Sequence, residues 1–531
     1  MIEVVSAPRR RTTPAVVLIA MVLSVVMPAA TALAAPSQNA CDTRSNNTIQ
    51  KVVECVRVDQ VLEHMAAFQA AADANGDNRA AGLPGYTASV DYVVETMEAA
   101  GWNVELHEFD FTFTPPPTLQ QLTPISATYE TGAFTGTGFG EVTGNVIPVD
   151  INLVPPRAST SGCEAGDFAG INFGGPADIA LIQRGTCSFA VKALNAEAAG
   201  AEAVIIFNQG DTEAREGLIV GTLGGLNVVG IPVVGASFAD GAALSQAGST
   251  ALIDVDAPED RPQVNVIAEL PGKNTSNVVM AGAHLDSVQR GPGINDNGSG
   301  SAVLLEVAQQ LANLKPQNTL RFAWWGAEES GLLGSNAYVA DLSQEELDEI
   351  ALYLNFDMVG SPNYMFMVYD GDESGFPAPP GVPVPEGSIA IEDLFESYYT
   401  WAGEPYDDAQ FSGRSDYQAF ILNGIPAGGL FTGAEVVKTD EQQAIWGGTA
   451  GEQLDPCYHL ACDTIGNLSH HALDVNADAV AFAALHYAYS TESVNGVRGS
   501  NMPNNFKAPA PEGPEGTVGG GGGAHFDHAV E

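Results

Sequence analysis

The chain has 531 residues, of which 45% are hydrophobic and 16% are charged. This length and apolar content suit two or three folded domains and exclude a chain that is disordered throughout. The 65 Asp and Glu residues outnumber the 20 Lys and Arg residues, which gives a formal net charge of -45. Such a charge excludes nucleic acids and anionic membrane surfaces as partners, because both are bound through clustered basic side chains.

The amino-terminal segment predicts export. Three arginines at positions 9–11 precede an apolar stretch at residues 14–27, and a run of small residues ends at Ala34. This pattern is typical of a secretory signal peptide, here residues 1–34 with cleavage after Ala34. The apolar stretch is shorter than the roughly 18 residues of a membrane-spanning helix. We therefore expect a secreted, extracellular protein without membrane attachment.

Six cysteines, an even number in an exported chain, favour disulfides over thiol catalysis. They form three groups of near neighbours, and we expect pairing within each group, although the sequence alone leaves other connectivities open. The expected pairs are Cys41 with Cys55, Cys163 with Cys187, and Cys457 with Cys462. No catalytic cysteine is expected.

The composition divides the chain into domains. Residues 35–124 change from helical spacing of apolar residues to strand-like alternation and predict the first part of an α/β domain. Residues 125–260, rich in Gly, Val and short apolar runs, predict a separate β-rich domain. Strands and helices alternate again over residues 261–490, which predicts a largely parallel sheet with helices on both faces. The β-rich segment is therefore an insertion.

The carboxyl-terminal segment, residues 491–531, is rich in Pro and Gly and predicts a disordered or removed tail. Its two histidines, His525 and His528, could chelate a stray metal ion, but histidines in such tails are more often incidental.

Potential metal ligands follow strand after strand in the second α/β section. In a parallel sheet, such positions meet at the carboxyl edge, where ligands bind. Each has an ordinary alternative, such as a helix cap at Asp296, but five ligand positions in the right elements predict one site. The residues are His284 and Asp286 after one strand, Asp296 in the next loop, Glu328 and Glu329 after another strand, Asp357 after a further one, and His459 in a late loop.

Two histidines and three carboxylates suit two zinc ions that share one carboxylate and hold a water between them. In this interpretation Glu329 binds metal, and Glu328, directed differently, acts as general base toward that water. Asp286 comes two residues after His284 and is placed to accept its ring proton and fix the tautomer.

These motifs resemble the co-catalytic dizinc aminopeptidases, secreted bacterial and fungal enzymes of the leucyl aminopeptidase type. The resemblance runs from about Ile49 to Tyr489 outside the insertion. It implies an α/β fold with a phosphorylase/hydrolase-like mixed sheet sandwiched by helices, and two Zn²⁺ ions per chain. It also implies that Asp296 bridges the ions, that Glu328 is the general base, and that the Asp296–Asn297 peptide is cis. The implied metal ligands are His284, Asp296, Glu329, Asp357 and His459.

The same resemblance implies roles around the substrate. Tyr458 is similar to the tyrosine that stabilises the oxyanion in these enzymes. The stretch SGRSDYQAF resembles a segment that helps to hold the substrate's free amine, where Arg414 either contributes or forms a structural salt bridge. Glu328 and Asp357 would also hold the ammonium group.

The inserted segment resembles a protease-associated (PA) domain on the stretches GCEAGDF, IALIQRGTCSFAVKALNAEAAGAEAVIIFN and IPVVGAS. The resemblance implies a disulfide between Cys163 and Cys187 in this domain, and one between Cys457 and Cys462 beside the metal site. Such domains accompany several functions, so the insertion says little about chemistry. It contains no candidate catalytic residue.

The expected function is a secreted zinc aminopeptidase acting on peptides with a free N-terminus. The family resemblance implies that the N-terminal residue it removes is large and apolar, as leucine is. A carboxypeptidase of the same fold would need a cationic pocket, and a glutaminyl cyclase would use one zinc. A non-catalytic receptor or binding ectodomain would lack ligands or the base. We expect a monomer. Some related enzymes bind Ca²⁺, and the acidic loop from Tyr369 to Gly375 offers oxygen ligands, although acidic loops are usually only solvated.

Overall fold

The computed structural model describes residues 36–175 and 177–514. The predicted signal peptide at residues 1–34 lies outside the described residues, as do His525 and His528. No helix in the part of the chain that the structure describes is long and apolar enough to cross a membrane.

The described residues form fifteen strands and fourteen α-helices, numbered here in chain order. The strands are β1 (Asn103–Phe113), β2 (Thr118–Thr123), β3 (Ala127–Tyr129), β4 (Gly140–Val149), β5 (Asp178–Gln183), β6 (Ala203–Phe207), β7 (Val233–Ala236), β8 (Thr250–Val255), β9 (Glu259–Leu270), β10 (Asn274–His284), β11 (Asn318–Trp325), β12 (Ile350–Phe356), β13 (Met367–Tyr369), β14 (Asp407–Ala409) and β15 (Ala427–Phe431). The helices are α1 (Gln38–Thr43), α2 (Ile49–Val53), α3 (Val58–Asp73), α4 (Pro84–Ala99), α5 (Phe189–Ala199), α6 (Phe238–Leu244), α7 (Gly298–Leu311), α8 (Leu333–Asp341), α9 (Gln344–Glu349), α10 (Ser388–Ala402), α11 (Tyr417–Leu422), α12 (Asp440–Trp446), α13 (His470–Tyr489) and α14 (Glu492–Asn495).

Eight strands form the main sheet, in the order β1-β9-β11-β10-β12-β15-β13-β14. Its centre is parallel, because β10 runs parallel to β11 and β12, and β12 runs parallel to β15. Every residue of β12 is buried, as its apolar sequence requires for a strand covered on both faces. Helices α7 and α13 pack against β10 and β11. The predicted α/β fold with a mixed sheet is confirmed.

A second sheet of seven strands forms the inserted domain, in the order β3-β2-β8-β4-β5-β6-β7. The strands from β4 to β7 are parallel to one another, and β8 is antiparallel to β2 and β4. Ile182 and Ile206 belong to one apolar core, whereas Ile179 and Ile205 belong to another. Alternate side chains of a strand point to opposite faces, so this sheet is covered on both sides.

The chain enters and leaves the inserted domain at neighbouring positions of the main sheet. Strand β1 pairs antiparallel with β9 from Asn103 opposite Glu269 to Phe113 opposite Glu259. The chain therefore leaves the main sheet after β1 and returns before β9 at neighbouring positions, so the insertion does not interrupt the sheet.

The boundaries of the inserted domain differ from the expected 125–260. Strand β2 pairs with β8 in the second sheet, whereas β9 belongs to the main sheet. The change of sheet coincides with the prolines at 115–117, which lack the N–H groups needed to continue the β1 ladder. By sheet membership, the inserted domain spans residues 118–255.

The expectation of disorder is wrong for residues 491–514, the part of the tail that the structure describes. This segment contains α14, and Met502 is buried in the main core. The ring of Phe506 packs edge-on against Trp401, with centroids 6.1 Å apart. Two apolar side chains thus dock a segment whose Pro and Gly content indicated disorder.

The three expected disulfides are present among the described residues, and no described cysteine is free. They join Cys41 to Cys55, Cys163 to Cys187, and Cys457 to Cys462.

Candidate metal centre

The candidate site lies at the carboxyl edge of the main sheet. His284 is the last residue of β10, Glu328 and Glu329 follow β11, and Asp357 directly follows β12. Because β10 is parallel to β11 and β12, these side chains meet at one edge. Asp296 reaches the same place from the loop before α7.

Asp296 lies between the two predicted histidine ligands. Its Oδ1 is 3.1 Å from Nε2 of His284, and its Oδ2 is 3.2 Å from Nε2 of His459. Burial alone would raise the pKa of Asp296, but hydrogen bonds with both imidazoles hold it below its ordinary value. Each oxygen faces a different imidazole, as in a carboxylate shared by two metal ions.

Each histidine also lies close to a second carboxylate. Oδ1 of Asp357 is 3.4 Å from Nε2 of His284, and Oε2 of Glu329 is 3.0 Å from Nε2 of His459. With Asp296 in common, the five predicted ligands form two sets, each with one imidazole and two carboxylates.

The spacing of these atoms fits a tetrahedral cation. Atoms bound about 2.0–2.1 Å from a tetrahedral Zn²⁺ lie about 3.3 Å apart, and the separations here are 3.0, 3.1, 3.2 and 3.4 Å. Oε1 of Glu329 is buried without a hydrogen-bond partner. A buried carboxylate oxygen normally has a partner, so this atom fits a metal ligand.

Opposite charges dominate the electrostatics of the site. Burial would lower the pKa of His459, but Glu329 and Asp296 raise it to about 11. Burial, reinforced by Asp296, raises the pKa of Glu329 to about 7. Carboxylates outnumber imidazoles here, and metal cations would balance the excess negative charge.

Glu328 stands beside the first set of ligands. Its Oε2 is 3.9 Å from Nε2 of His284, within the group of atoms that also includes Asp357. Burial, reinforced by Asp357 and Glu329, raises the pKa of Glu328 well above its ordinary value. From this position its carboxyl group could exchange a proton with a water held between the ligands.

Asp286 lies beside His284, where it was expected to accept the ring proton, and it also holds the backbone that follows β11. Its carboxylate accepts hydrogen bonds from the backbone amides of Glu328 at 3.1 Å and Glu329 at 3.4 Å. Nδ1 of His284 lies 3.0 Å from the backbone carbonyl of Asp286 and 3.7 Å from its carboxylate. The carbonyl can only accept, so Nδ1 carries the proton and Nε2 is free for a metal. The carbonyl of Asp286 is the nearer acceptor for this proton, while the carboxylate holds the backbone amides of Glu328 and Glu329.

Two side chains that the sequence did not single out hold the loop of Asp296. The Asp463 carboxylate accepts hydrogen bonds from the backbone amides of Asn295 at 2.9 Å and Asp296 at 3.0 Å. The Asn297 side chain donates to the carbonyl of Phe356, at the end of β12, over 2.9 Å. The Asp296–Asn297 peptide is cis. The sequence offers one signal for Asp463, its position directly after the disulfide loop.

Arg79 is a buried cation beneath the site. Its guanidinium donates to the carbonyls of Leu285, Pro292 and Gly293, with 2.8 Å from Nε to the Pro292 oxygen. These carbonyls belong to the loop that joins two predicted ligands. Burial lowers the pKa of Arg79 to about 10, although Asp286 opposes this shift. Arg79 lies between α3 and α4 in no recognisable motif, and sequence analysis missed it.

Three residues at the site adopt left-handed backbone conformations that are uncommon outside glycine. Ala327 precedes Glu328 and has a φ of 55°, Met358 follows Asp357 with a φ of 62°, and His459 itself has a φ of 56°. Strained conformations of this kind collect at functional sites.

The two other predicted substrate residues line the adjacent cavity. The ring of Tyr458 stacks on that of His459, with centroids 3.8 Å apart. Nη1 of Arg414 is 3.4 Å from Oε1 of Glu435. The structure therefore contains the salt bridge that was one alternative for Arg414, and its contact with a substrate amine stays a prediction.

The cavity has a volume of about 720 Å³ and opens in front of the predicted ligands. Its wall combines apolar and acidic side chains. The apolar ones include Met365, Met367, Tyr369, Phe431 and Leu454, and the acidic ones include Asp407, Asp408 and Glu435. Among the described residues that line it, Arg414 is the single Lys or Arg.

The chemistry available at this edge of the sheet is attack of a metal-activated water on a substrate in the cavity, so fold and site define a metal-dependent hydrolase. Comparison with known proteins makes this class specific. The model of peptidase family M28 matches residues 265–484, and that of the PA domain matches residues 142–244. The chain belongs to peptidase family M28.

The sequence relatives of the chain include proteins named as aminopeptidases. An aminopeptidase of Pseudomonas aeruginosa is 48% identical over 450 residues, which cover 83% of each chain. Leucine aminopeptidase 2 of Trichophyton rubrum is 46% identical over 338 residues, covering 63% of this chain and 66% of that protein. The solved structure of a zinc aminopeptidase from Bacillus subtilis matches with a TM-score of 0.58 and 27% identity, covering 83% of this chain and 97% of that one. The predicted family, inserted PA domain and enzyme class, a metallopeptidase of the aminopeptidase type, are confirmed.

Proposed function

We propose that the protein is a secreted dizinc aminopeptidase that removes large apolar residues from the amino terminus of peptides. The observation that carries this proposal is the position of Asp296, whose two oxygens face the imidazoles of His284 and His459 at 3.1 and 3.2 Å.

One zinc ion would be held by His284, Asp296 and Asp357, and the other by His459, Asp296 and Glu329. When bound, the ions would polarise the scissile carbonyl and lower the pKa of the attacking water. Cobalt or manganese could satisfy the same ligands. Zinc is supported by the printed description of the Bacillus subtilis structure.

Glu328 is the proposed general base. Its carboxylate would take a proton from the attacking water as the oxygen of that water bonds to the carbonyl carbon. It would then pass the proton to the leaving nitrogen as the carbon–nitrogen bond breaks. The Tyr458 hydroxyl, whose pKa burial raises far above its ordinary value, stays protonated and would donate to the developing oxyanion.

The cavity favours a substrate with a free amino terminus. Glu328 and Asp357 would accept hydrogen bonds from the ammonium group, with Arg414 contributing through its backbone or position. Acidic side chains on the wall attract a cation, whereas a carboxypeptidase would need a cationic pocket, and Arg414 is already paired with Glu435. The apolar wall would receive a large apolar side chain, in keeping with the leucine aminopeptidase name of the fungal relative.

Two further alternatives fit less well. A glutaminyl cyclase uses one zinc, and here His459, Asp296 and Glu329 offer a second set of candidate ligands. A non-catalytic ectodomain would have no need for a carboxyl group at the position of Glu328, beside His284 and Asp357.

Export and a monomeric state are parts of the same proposal. Three disulfides suit an oxidising compartment. Amino-terminal sequencing of protein from the culture medium should begin at Ala35, and size-exclusion chromatography with light scattering should give the mass of one chain.

The experiment that tests the activity compares leucine p-nitroanilide with its N-acetylated form, with and without a chelator, on protein of measured metal content. We expect cleavage of the free-amine substrate alone, abolished by the chelator. Cleavage of the acetylated form as well would contradict an aminopeptidase, and no cleavage at full metal content would favour the carboxypeptidase.

A further inference from the structure

A second group of buried carboxylates lies where α10 faces the edge strands of the main sheet. Glu392 and Glu396 lie one helical turn apart on α10, and Asp408 lies on β14. One oxygen from each of these three side chains lies within 4.8 Å of the others. Asp370 and Asp372, in the loop after β13, form a similar group with Glu392. None of these five residues is a predicted zinc ligand.

Asp408 is the residue that points to a ligand. It is only 3% exposed, and both of its carboxylate oxygens are buried without a hydrogen-bond partner. Buried carboxylates are normally hydrogen-bonded or paired with a cation. No ion pair among the described residues involves any of the five carboxylates.

The pKa values of the group agree with a missing counter-charge. Burial, reinforced by Asp372 and Asp370, raises the pKa of Glu392 to about 9. Burial, reinforced by neighbouring carboxylates, also raises the pKa of Glu396 and of Asp408 to about 7. The repulsion among these groups would be relieved by a bound cation.

Backbone amides of the loop fix two of the carboxylates, whereas the two oxygens of Asp408 stay without a hydrogen-bond partner. The Asp370 carboxylate accepts from the backbone amides of Ser374 and Gly375, at 2.9 Å each, and therefore shapes the loop. Oε2 of Glu392 accepts from the backbone amides of Gly371 and Asp372, at 3.1 and 3.0 Å, which fixes that side chain.

We propose that Glu392, Glu396 and Asp408 bind a Ca²⁺ ion, with Asp370 and Asp372 adding negative charge beside it. The donors are all oxygens, which hard cations prefer, and the group contains no nitrogen or sulfur that would favour zinc. Ca²⁺ accepts about six to eight oxygen ligands in a flexible geometry, so carboxylates from a helix and a strand can share it. Mg²⁺ keeps several of its waters and is usually held by one or two carboxylates, so a group of this many carboxylates suits it less well.

The ion would tie α10 to the edge of the main sheet. Strands β13 and β14 are only three residues long, and their residues Met367, Tyr369 and Asp408 line the cavity. Strands this short gain little from their own hydrogen bonds. A cation shared between the helix and β14 would therefore hold one wall of the cavity in place.

The test uses the full zinc-loaded protein, first freed of calcium with a calcium-selective chelator, with zinc content measured before and after. CaCl₂ is then titrated by calorimetry and by following Tm. We expect about one Ca²⁺ per chain, a Tm that rises with the concentration of Ca²⁺, and unchanged zinc. The conservative variant Asp408→Asn should weaken binding by about tenfold or more, because it removes one of the charges on which Ca²⁺ affinity depends. Glu345→Gln, at an exposed position on α9, should bind like the wild type.

The proposal is overturned if the wild type binds no Ca²⁺, or if Asp408→Asn and Glu345→Gln bind it equally well. Circular dichroism checks that Asp408→Asn folds, and Glu396→Gln, with the same expected loss, takes its place if it does not. The readouts are binding and stability, so they do not depend on whether the protein is an aminopeptidase.

Discussion

The carboxylate of Asp286 accepts a hydrogen bond from the backbone amide of Glu328, with 3.1 Å between Oδ1 and the nitrogen. The same carboxylate accepts from Glu329, and the carbonyl of Asp286 faces Nδ1 of His284. One residue therefore orients the proposed base and two proposed metal ligands without touching a metal.

We predict that Asp286→Ala lowers zinc affinity or kcat by about 10–100-fold, the usual cost of removing a group that orients metal ligands. Zinc content after dialysis and the rate on leucine p-nitroanilide measure the two effects. The matched control is Asp348→Ala, at an exposed position on α9. If Asp286→Ala retains zinc and turns over substrate like the wild type, this carboxylate is not needed to orient the residues that follow β11.

For Glu328→Gln we predict unchanged zinc content and a kcat lowered by about 10²–10⁴-fold, because the amide keeps the shape of the side chain but cannot carry the proton. Metal analysis and steady-state kinetics on one preparation separate the effects, with Glu345→Gln as the control. Near-normal turnover would refute the role of base, and loss of zinc would make Glu328 a ligand instead.

Replacing Arg79 should destabilise the loop between His284 and Asp296. Arg79→Met leaves the buried carbonyls of Leu285 and Pro292 without donors, each worth about 1–3 kcal/mol, whereas that of Gly293 keeps the amide of Gly298 at 3.0 Å. We predict that Arg79→Met has a much lower Tm and retains zinc less well. Arg79→Lys should be intermediate, because lysine keeps the positive charge but has fewer hydrogen-bond donors. Arg498→Met, at an exposed arginine, serves as the control. An unchanged Tm in Arg79→Met would contradict this role.

Glu306 on α7 gives a pH dependence that is independent of the metal centre. One of its oxygens accepts from Nε2 of Gln310 at 3.1 Å, whereas Oε2 has no partner. Burial raises the pKa of Glu306 from 4.5 to about 8. Between these values the folded state holds a proton that the unfolded state has lost, so stability falls as the pH rises, by at most about 1.4 kcal/mol per pH unit.

The variant Glu306→Gln removes this titration. We predict that the variant and the wild type have the same Tm near pH 4.5. The Tm of the variant should then exceed that of the wild type by an amount that grows toward pH 8 and is constant above it. Thermal unfolding of both proteins across this range, with Glu345→Gln as reference, gives the comparison. A Tm difference that does not change with pH would contradict the assignment.

Three of the five proposed metal ligands could be brought together from the sequence because each lies at the end of an apolar strand. His284, Glu329 and Asp357 are separated by whole helices in the chain, yet parallel pairing brings the carboxyl ends of their strands to one edge. The local signal of each strand and the topology of parallel sheets were sufficient for these residues.

The supporting residues could not be predicted in this way. Arg79 and Asp463 act on backbone groups, and any segment that happens to pass beneath the site can supply such a donor or acceptor. Sequence spacing placed Asp286 beside Nδ1 of His284, but it does not say whether the carbonyl or the carboxylate of Asp286 is the nearer acceptor. The docking of residues 491–514 depends on Met502 and Phe506, two apolar side chains in a segment whose average composition indicates disorder.

In the proposed mechanism, two metal ions share the carboxylate of Asp296. Anomalous diffraction from crystals of the zinc-loaded protein, collected on both sides of the zinc edge, locates the ions. We predict two zinc peaks flanking the Asp296 carboxylate, one beside His284 and Asp357 and the other beside His459 and Glu329. A single peak at full zinc content, or peaks away from these side chains, would contradict it.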